Sequence, residues 1–146
     1  MRSVRLYLAA AALFLGACAS GSVPTPTAGA EPVEVMPGFF SAAQAARGRA
    51  SYKEHCDECH ALSELRGTEF EWTWRRQTAW DLYQEVSSNM PEDKPGELSA
   101  PTYADIIAYI LNLNDYQVGS RDLVASRAAM AAIPLGSDAQ KTKSKE

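Results

Sequence analysis

Two cysteines separated by two residues and followed at once by a histidine constrain this 146-residue chain more than any other feature: Cys56-Asp57-Glu58-Cys59-His60. In an exported protein this run is the attachment signature of covalent c-type haem. Two thiols, Cys56 and Cys59, add to the two vinyl groups of one porphyrin, and His60 falls beneath the iron as its proximal axial ligand. The consequence reaches the fold. Roughly a hundred residues make a thin core on their own, and a porphyrin fixed in the interior supplies the apolar surface around which short helices pack.

The same spacing serves structural zinc and thioredoxin-like redox pairs. A zinc site needs a second ligand pair, and after His60 the chain contains neither cysteine nor histidine. A redox pair sits in a strand-helix-strand context, whereas an alanine-rich helical pattern precedes this motif and no strand pattern flanks it.

Export is written at the N-terminus. Arg2 and Arg5 precede the apolar stretch Leu6 to Leu15, which is too short to span a membrane and reads as a signal peptide over residues 1–17. Its end, Leu15-Gly16-Ala17-Cys18, resembles the bacterial lipobox, so the mature chain is expected to begin at a lipidated Cys18. A plain signal peptide cleaved after a small residue is the alternative. Lipidation balances the cysteines, one for lipid and two for haem, leaving no disulfide pair in an oxidising compartment. Several acyl chains, as bacterial lipoproteins carry, would hold the protein at a membrane. By the same resemblance Ala19 is not an inner-membrane retention aspartate, so the expected location is periplasmic, at the outer membrane.

Removing residues 1–17 takes away two arginines and no acid, which moves the formal net charge from −4 to −6. That balance argues against nucleic acid and favours a partner with a basic docking face. Residues 18–38 are the lipidated cysteine and a tether rich in Pro, Thr, Ala and Gly. Residues 39–135 form one domain, and the polar, lysine-rich stretch 136–146 is expected to be disordered.

The domain reads as all-α. Ser41 and Gln44 make a capping box ahead of a helix over Ala42 to Tyr52 that runs into the haem motif. Thr78 and Asp81 start a second helix, with Trp80, Tyr83 and Val86 on one side. A third begins after Ser99, tolerates Pro101 in its first turn, carries Tyr103, Ile106, Ile107 and Ile110 at helical spacing, and stops near Asn112 to Asn114. Gly48 and Tyr52 share a face of the first helix. Spacing alone allows either a close helix crossing against Ile106, Tyr109 and Ile110 or a glycine that merely weakens an exposed helix.

At this point the chain resembles a class I cytochrome c over about residues 39–135: haem motif on the first helix, distal methionine on a loop, terminal helices crossing through a glycine and an aromatic residue. More narrowly, MPEDKPGELSAPTYADIIAYILNLNDY, Met90 to Tyr116, resembles the small single-haem cytochromes associated with periplasmic quinoprotein (PQQ-dependent) dehydrogenases. After Tyr116 that family often reads Pro-Ala-Gly; here Gln117-Val118-Gly119 departs from it, so the resemblance carries no expectation for Val118 to Leu135.

The resemblance implies that Met90, 30 residues after His60 and stiffened by Pro91, is the sixth ligand. Met with His ligation favours ferrous iron relative to two histidines. Competing thioethers are Met36 and Met130, and the alternative role for Met90 is to fill core. Trp72, Trp74 and Trp80 fall between the haem motif and the distal loop, where an indole can wall the porphyrin, and Arg75 or Arg76 can pair with propionates. For each of these the ordinary reading is a core aromatic or a solvated arginine. The expected function is electron transfer without substrate conversion, between a dehydrogenase or other redox protein and a terminal oxidase or another cytochrome. Two further readings stay open. One is a gas sensor or weak peroxidase with an open distal site; the other is a cytochrome subunit fixed in a dehydrogenase complex.

Overall fold

Three serine or threonine hydroxyls set the starts of the three longest helices. In the computed structural model, which describes residues 38–136, the Ser41 hydroxyl accepts from the Gln44 N–H and opens α1, Ala42–His55. Thr78 and Asp81 cap each other reciprocally at the start of α3, Ala79–Asn89. Ser99 accepts from the Thr102 N–H and opens α4, Ala100–Leu113, with Pro101 in its first turn, where a missing N–H costs no intrahelical bond. These helices appear where the sequence placed them, with α1 running on past Tyr52 to His55.

Two further helices were not expected from the sequence. Helix α2, Gly67–Trp74, receives its cap from a distant side chain: the Gly67 N–H donates to Asn114 Oδ1 at 2.9 Å, and Asn114 Nδ2 donates to the Leu65 and Ile110 carbonyls. Helix α5, Arg127–Met130, is a single turn capped by Ser126. Among the described residues these five helices are joined by one parallel pairing of two-residue strands, β1 (Phe40–Ser41) with β2 (Val118–Gly119). The all-α expectation holds, with this short pairing and an isolated antiparallel bridge between Thr78 and Pro134 as additions.

The core lies where α1 crosses α4. A Cβ on Gly48 would sit 1.8 Å from the Asp105 carbonyl oxygen and 2.9 Å from the Tyr109 Cβ, so α4 touches the α1 backbone and only glycine fits. Tyr52 and Tyr109 meet beside it, ring centroids 5.7 Å apart. This decides the two readings of Gly48 in favour of the close crossing.

The chain from Gln117 to Gly136 then wraps back as a strap. Leu123, Met130, Ile133 and Leu135 are buried in the core. Arg47 on α1 reaches both Asp105 on α4 and Asp122 in the strap, at 2.9 and 2.6 Å. Near its end the Ile133 carbonyl accepts from the Ala79 N–H and the Leu135 N–H donates to the Gln77 carbonyl. The strap thus satisfies one of the backbone donors left open at the start of α3.

The capping box expected at Ser41 forms only in half. The Gln44 side chain does not return to Ser41. It is buried and bonded instead to the main chain of Leu123, because the strap offers it a dry, two-sided partner. Among the described residues no helix is long and apolar enough to cross a membrane. Cys18, Met36, the signal peptide, nearly all of the tether and most of the tail lie outside the described residues.

Candidate functional site

Helix α1 delivers the cysteine motif. Its last turn closes on Tyr52, whose carbonyl accepts from the N–H groups of Cys56 and Asp57; the Cys56 carbonyl then accepts from the N–H groups of Cys59 at 3.1 Å and His60 at 2.9 Å. This tight turn brings Cys56, Cys59 and His60 to one wall of a cavity of about 820 Å³. Both thiols are free, Cys56 half-buried and Cys59 exposed, and burial pushes the Cys56 thiol pKa up.

The end of α3 supplies another part of the lining. Met90 is the residue on which that helix stops, its N–H still bonded to the Val86 carbonyl at 3.0 Å, and the Met90–Pro91 peptide that follows is cis. Met90 lines the same cavity, and Leu82, Ile106 and Ile110 make its apolar floor. The four residues singled out from the sequence as site candidates within 38–136 therefore converge on one space.

The volume falls within the ~300–1,000 Å³ usual for cofactor and small-molecule sites. Two thiols, an imidazole and a thioether around an apolar floor are the donor set that a covalently held haem requires. Among the described residues no three or more His, Cys, Asp and Glu side chains gather as a metal cluster, so the zinc reading finds no ligand set here.

Residues 43–110 match the family model described as Cytochrome C oxidase, cbb3-type, subunit III. The match supports a class I cytochrome c family. A cytochrome c domain implies covalently bound haem c, and with it haem-based electron transfer. No curated protein and no solved structure matches the chain significantly.

The surroundings of the cavity decide the readings that the sequence left open. Of the three tryptophans only Trp74 lines the cavity. Trp72 is 69 % exposed on the far face of α2, with the Arg75 guanidinium 4.3 Å over its ring, so Arg75 is engaged there. Trp80 stacks on Tyr83, centroids 5.3 Å apart. Neither Arg75 nor Arg76 lines the cavity. Met130 is fully buried in the core away from it.

Three features were not legible beforehand. Glu54, Glu58, Glu85, Glu92 and Asp93 line the cavity, and no lysine or arginine does among the described residues; net charge gave the sign of this rim but not its place. His60 Nδ1 donates to Glu64 Oε2 at 3.3 Å, which leaves Nε2 uncommitted. The four-residue spacing of that pair was its only signal. Finally, two tyrosine hydroxyls reach the main chain of the site: Tyr52 donates to the His60 carbonyl and Tyr103 to the Met90 carbonyl.

Proposed function

We propose that this chain is a single-haem electron carrier. Cys56 and Cys59 would hold the haem through thioethers, and His60 and Met90 would supply its iron ligands. The observation that carries this reading is the convergence of these four residues on one cavity of about 820 Å³. When bound, the haem supplies reversible one-electron chemistry at iron.

The residues around it have separate tasks. Cys56 and Cys59 would each hold the haem through one thioether, which would prevent loss of the cofactor. His60, with Nδ1 occupied by Glu64, would present Nε2 to the iron. Leu82, Ile106 and Ile110 keep water from the floor. The carboxylates of the cavity rim draw in a partner with a basic face, and because exposed charges act over about a Debye length, that attraction weakens with salt.

The same proposal places the protein in the bacterial periplasm, held at the outer membrane through lipid on Cys18. Its donor is a dehydrogenase, of which a PQQ-dependent enzyme is one kind, and its acceptor is a terminal oxidase or another cytochrome. No substrate is converted. A second reading, a cytochrome subunit fixed in a larger complex, is favoured by the description of the matched family as an oxidase subunit. Co-purification of a larger redox protein at constant stoichiometry supports that reading over a mobile carrier.

The experiment is a set of visible spectra of protein made in a host that matures c-type haem, oxidised and reduced, with and without carbon monoxide. A red charge-transfer band in the oxidised form and no shift with the gas support His60 and Met90 ligation. An absent band with ready gas binding means an open distal position, and the sensor or peroxidase reading then replaces the carrier.

A further inference from the structure

We infer that Tyr52 and Tyr103 are positioning residues, each fixing one axial ligand through a hydrogen bond to that ligand's own carbonyl; this rests on the assignment of His60 and Met90 as the ligands. The Tyr52 hydroxyl donates to the His60 carbonyl oxygen at 2.5 Å, and the Tyr103 hydroxyl donates to the Met90 carbonyl oxygen at 2.6 Å. Both tyrosines are 3 % exposed.

The chemistry of the two carbonyls explains why hydroxyls are there. His60 follows the last turn of α1, and no helix continues beyond it to supply an N–H. Met90 ends α3, and the Lys94 N–H that a continuing helix would aim at it donates to the Pro91 carbonyl instead. The bond from the Gly96 N–H to the Met90 carbonyl is long, 3.4 Å. Each carbonyl is thus an acceptor that helix geometry leaves open. A phenylalanine would fill either ring position, and a buried hydroxyl is unfavourable unless bonded. In both cases the bond it makes is to a ligand residue.

The rings are themselves held by the helix framework. Tyr52 packs on Tyr109 at the α1–α4 crossing, and Tyr103, near the start of α4, meets Tyr83 edge-on with centroids 6.4 Å apart. Tyr103 also accepts from the Leu98 N–H at 3.4 Å, which ties both ends of the 90–98 loop to one oxygen. Both ligand residues line the one cavity, and the crossing helices send one hydroxyl to each. The crossing thereby sets the distance between the ligands.

The test uses haem-loaded protein and the variants Y52F, Y103F and, as a control, Y83F, whose hydroxyl bonds to neither ligand residue. Carbon monoxide binding to the reduced form and the paramagnetically shifted proton resonances of the oxidised form are read for each. Loss of one neutral hydrogen bond changes an opening equilibrium by up to about tenfold. Y103F is therefore expected to admit the gas about tenfold more readily and to move the Met90 methyl resonance, and Y52F to move the His60 ring resonances and leave the Met90 methyl in place. Y83F is expected to leave the gas binding and both sets of resonances unchanged.

Wild-type protein that excludes the gas, beside a Y103F that excludes it equally and variants with unshifted ligand resonances, overturns the inference while leaving the ligand assignment standing. Equal changes in all three variants also overturn it, because the tyrosines then act only as core. Wild-type protein that itself binds the gas overturns the Met90 assignment and the Tyr103 half of the inference with it. In that case the His60 resonances in Y52F decide the other half.

Discussion

The Gln44 carboxamide exchanges two hydrogen bonds with the main chain of Leu123: Nε2 donates to the Leu123 carbonyl at 2.9 Å, and the Leu123 N–H donates to Oε1 at 2.6 Å. The pair is buried and joins residues 79 apart in sequence, so it ties the strap to α1. Removing it leaves the N–H and the carbonyl of Leu123 unpaired in a dry setting, at about 1–3 kcal/mol each. Gln44→Ala is expected to lower stability by about 3 kcal/mol, the strap then moving more freely than the helices. Denaturant unfolding measures the first, and limited proteolysis, with cuts confined to 117–136, checks the second.

Gly48 poses a test in which two effects oppose each other. Alanine is the better helix former by about 1 kcal/mol, yet its Cβ would lie 1.8 Å from the Asp105 carbonyl oxygen. A backbone oxygen cannot rotate away as a side chain can, so α1 and α4 must separate. Overpacking of this kind costs about 1–3 kcal/mol or more, and the clash outweighs the propensity. Gly48→Ala is therefore expected to lower the thermal midpoint of the haem-loaded protein and its yield on maturation. An alanine variant as stable as wild type would show that the crossing is looser than this geometry.

Acid should loosen the strap before it disturbs the helices. The Ser41 hydroxyl, first, and the Arg47 guanidinium, second, hold the Asp122 carboxyl below the usual aspartate range. A carboxyl whose folded pKa is depressed adds stability that is present above its unfolded value, near 4, and is lost as pH falls through the folded one. Asp81, bonded to the Thr78 N–H and hydroxyl, acts in the same sense. Stability is expected to decline below about pH 4, less steeply in Asp122→Asn. Urea midpoints of both proteins from pH 6 down to pH 3 give the comparison, and identical slopes would remove Asp122 from the account.

Helices α1, α3 and α4 were legible because each carries its own start signal, Ser41, Thr78 or Ser99, beside an apolar period. Helix α2 was not, since its cap is Asn114, 47 residues away. The strap was hidden for a related reason. Leu123, Met130, Ile133 and Leu135 follow no helical or strand period, and each is buried by contacts with elements that precede it. At the site, the cysteine motif and the histidine were legible from local chemistry, and Met90 through the resemblance carried by the run that begins with it. The acidic rim and the tyrosine hydroxyls depend on which faces of α1, α3 and α4 turn inward, a property of the packing rather than of any one segment.

The contact of His60 with Glu64 bears on how readily the site accepts an electron. A carboxylate that takes the Nδ1 proton in a hydrogen bond makes the imidazole a stronger donor, which favours the oxidised iron and lowers the potential, opposing the thioether on the other side. Glu64→Gln keeps an acceptor at that position and removes the charge, so the potential is expected to rise. The carboxylate is 54 % exposed, and water screens it. The rise should stay below the ~59 mV that a tenfold change represents for one electron, and it should shrink as salt is added. Voltammetry of both proteins at low and high ionic strength measures it. A potential that does not move would mean that Nδ1 has another partner in the haem-loaded protein, and the spectra of the same variant, with Met90 ligation intact, would show that the change was confined to the His60 side.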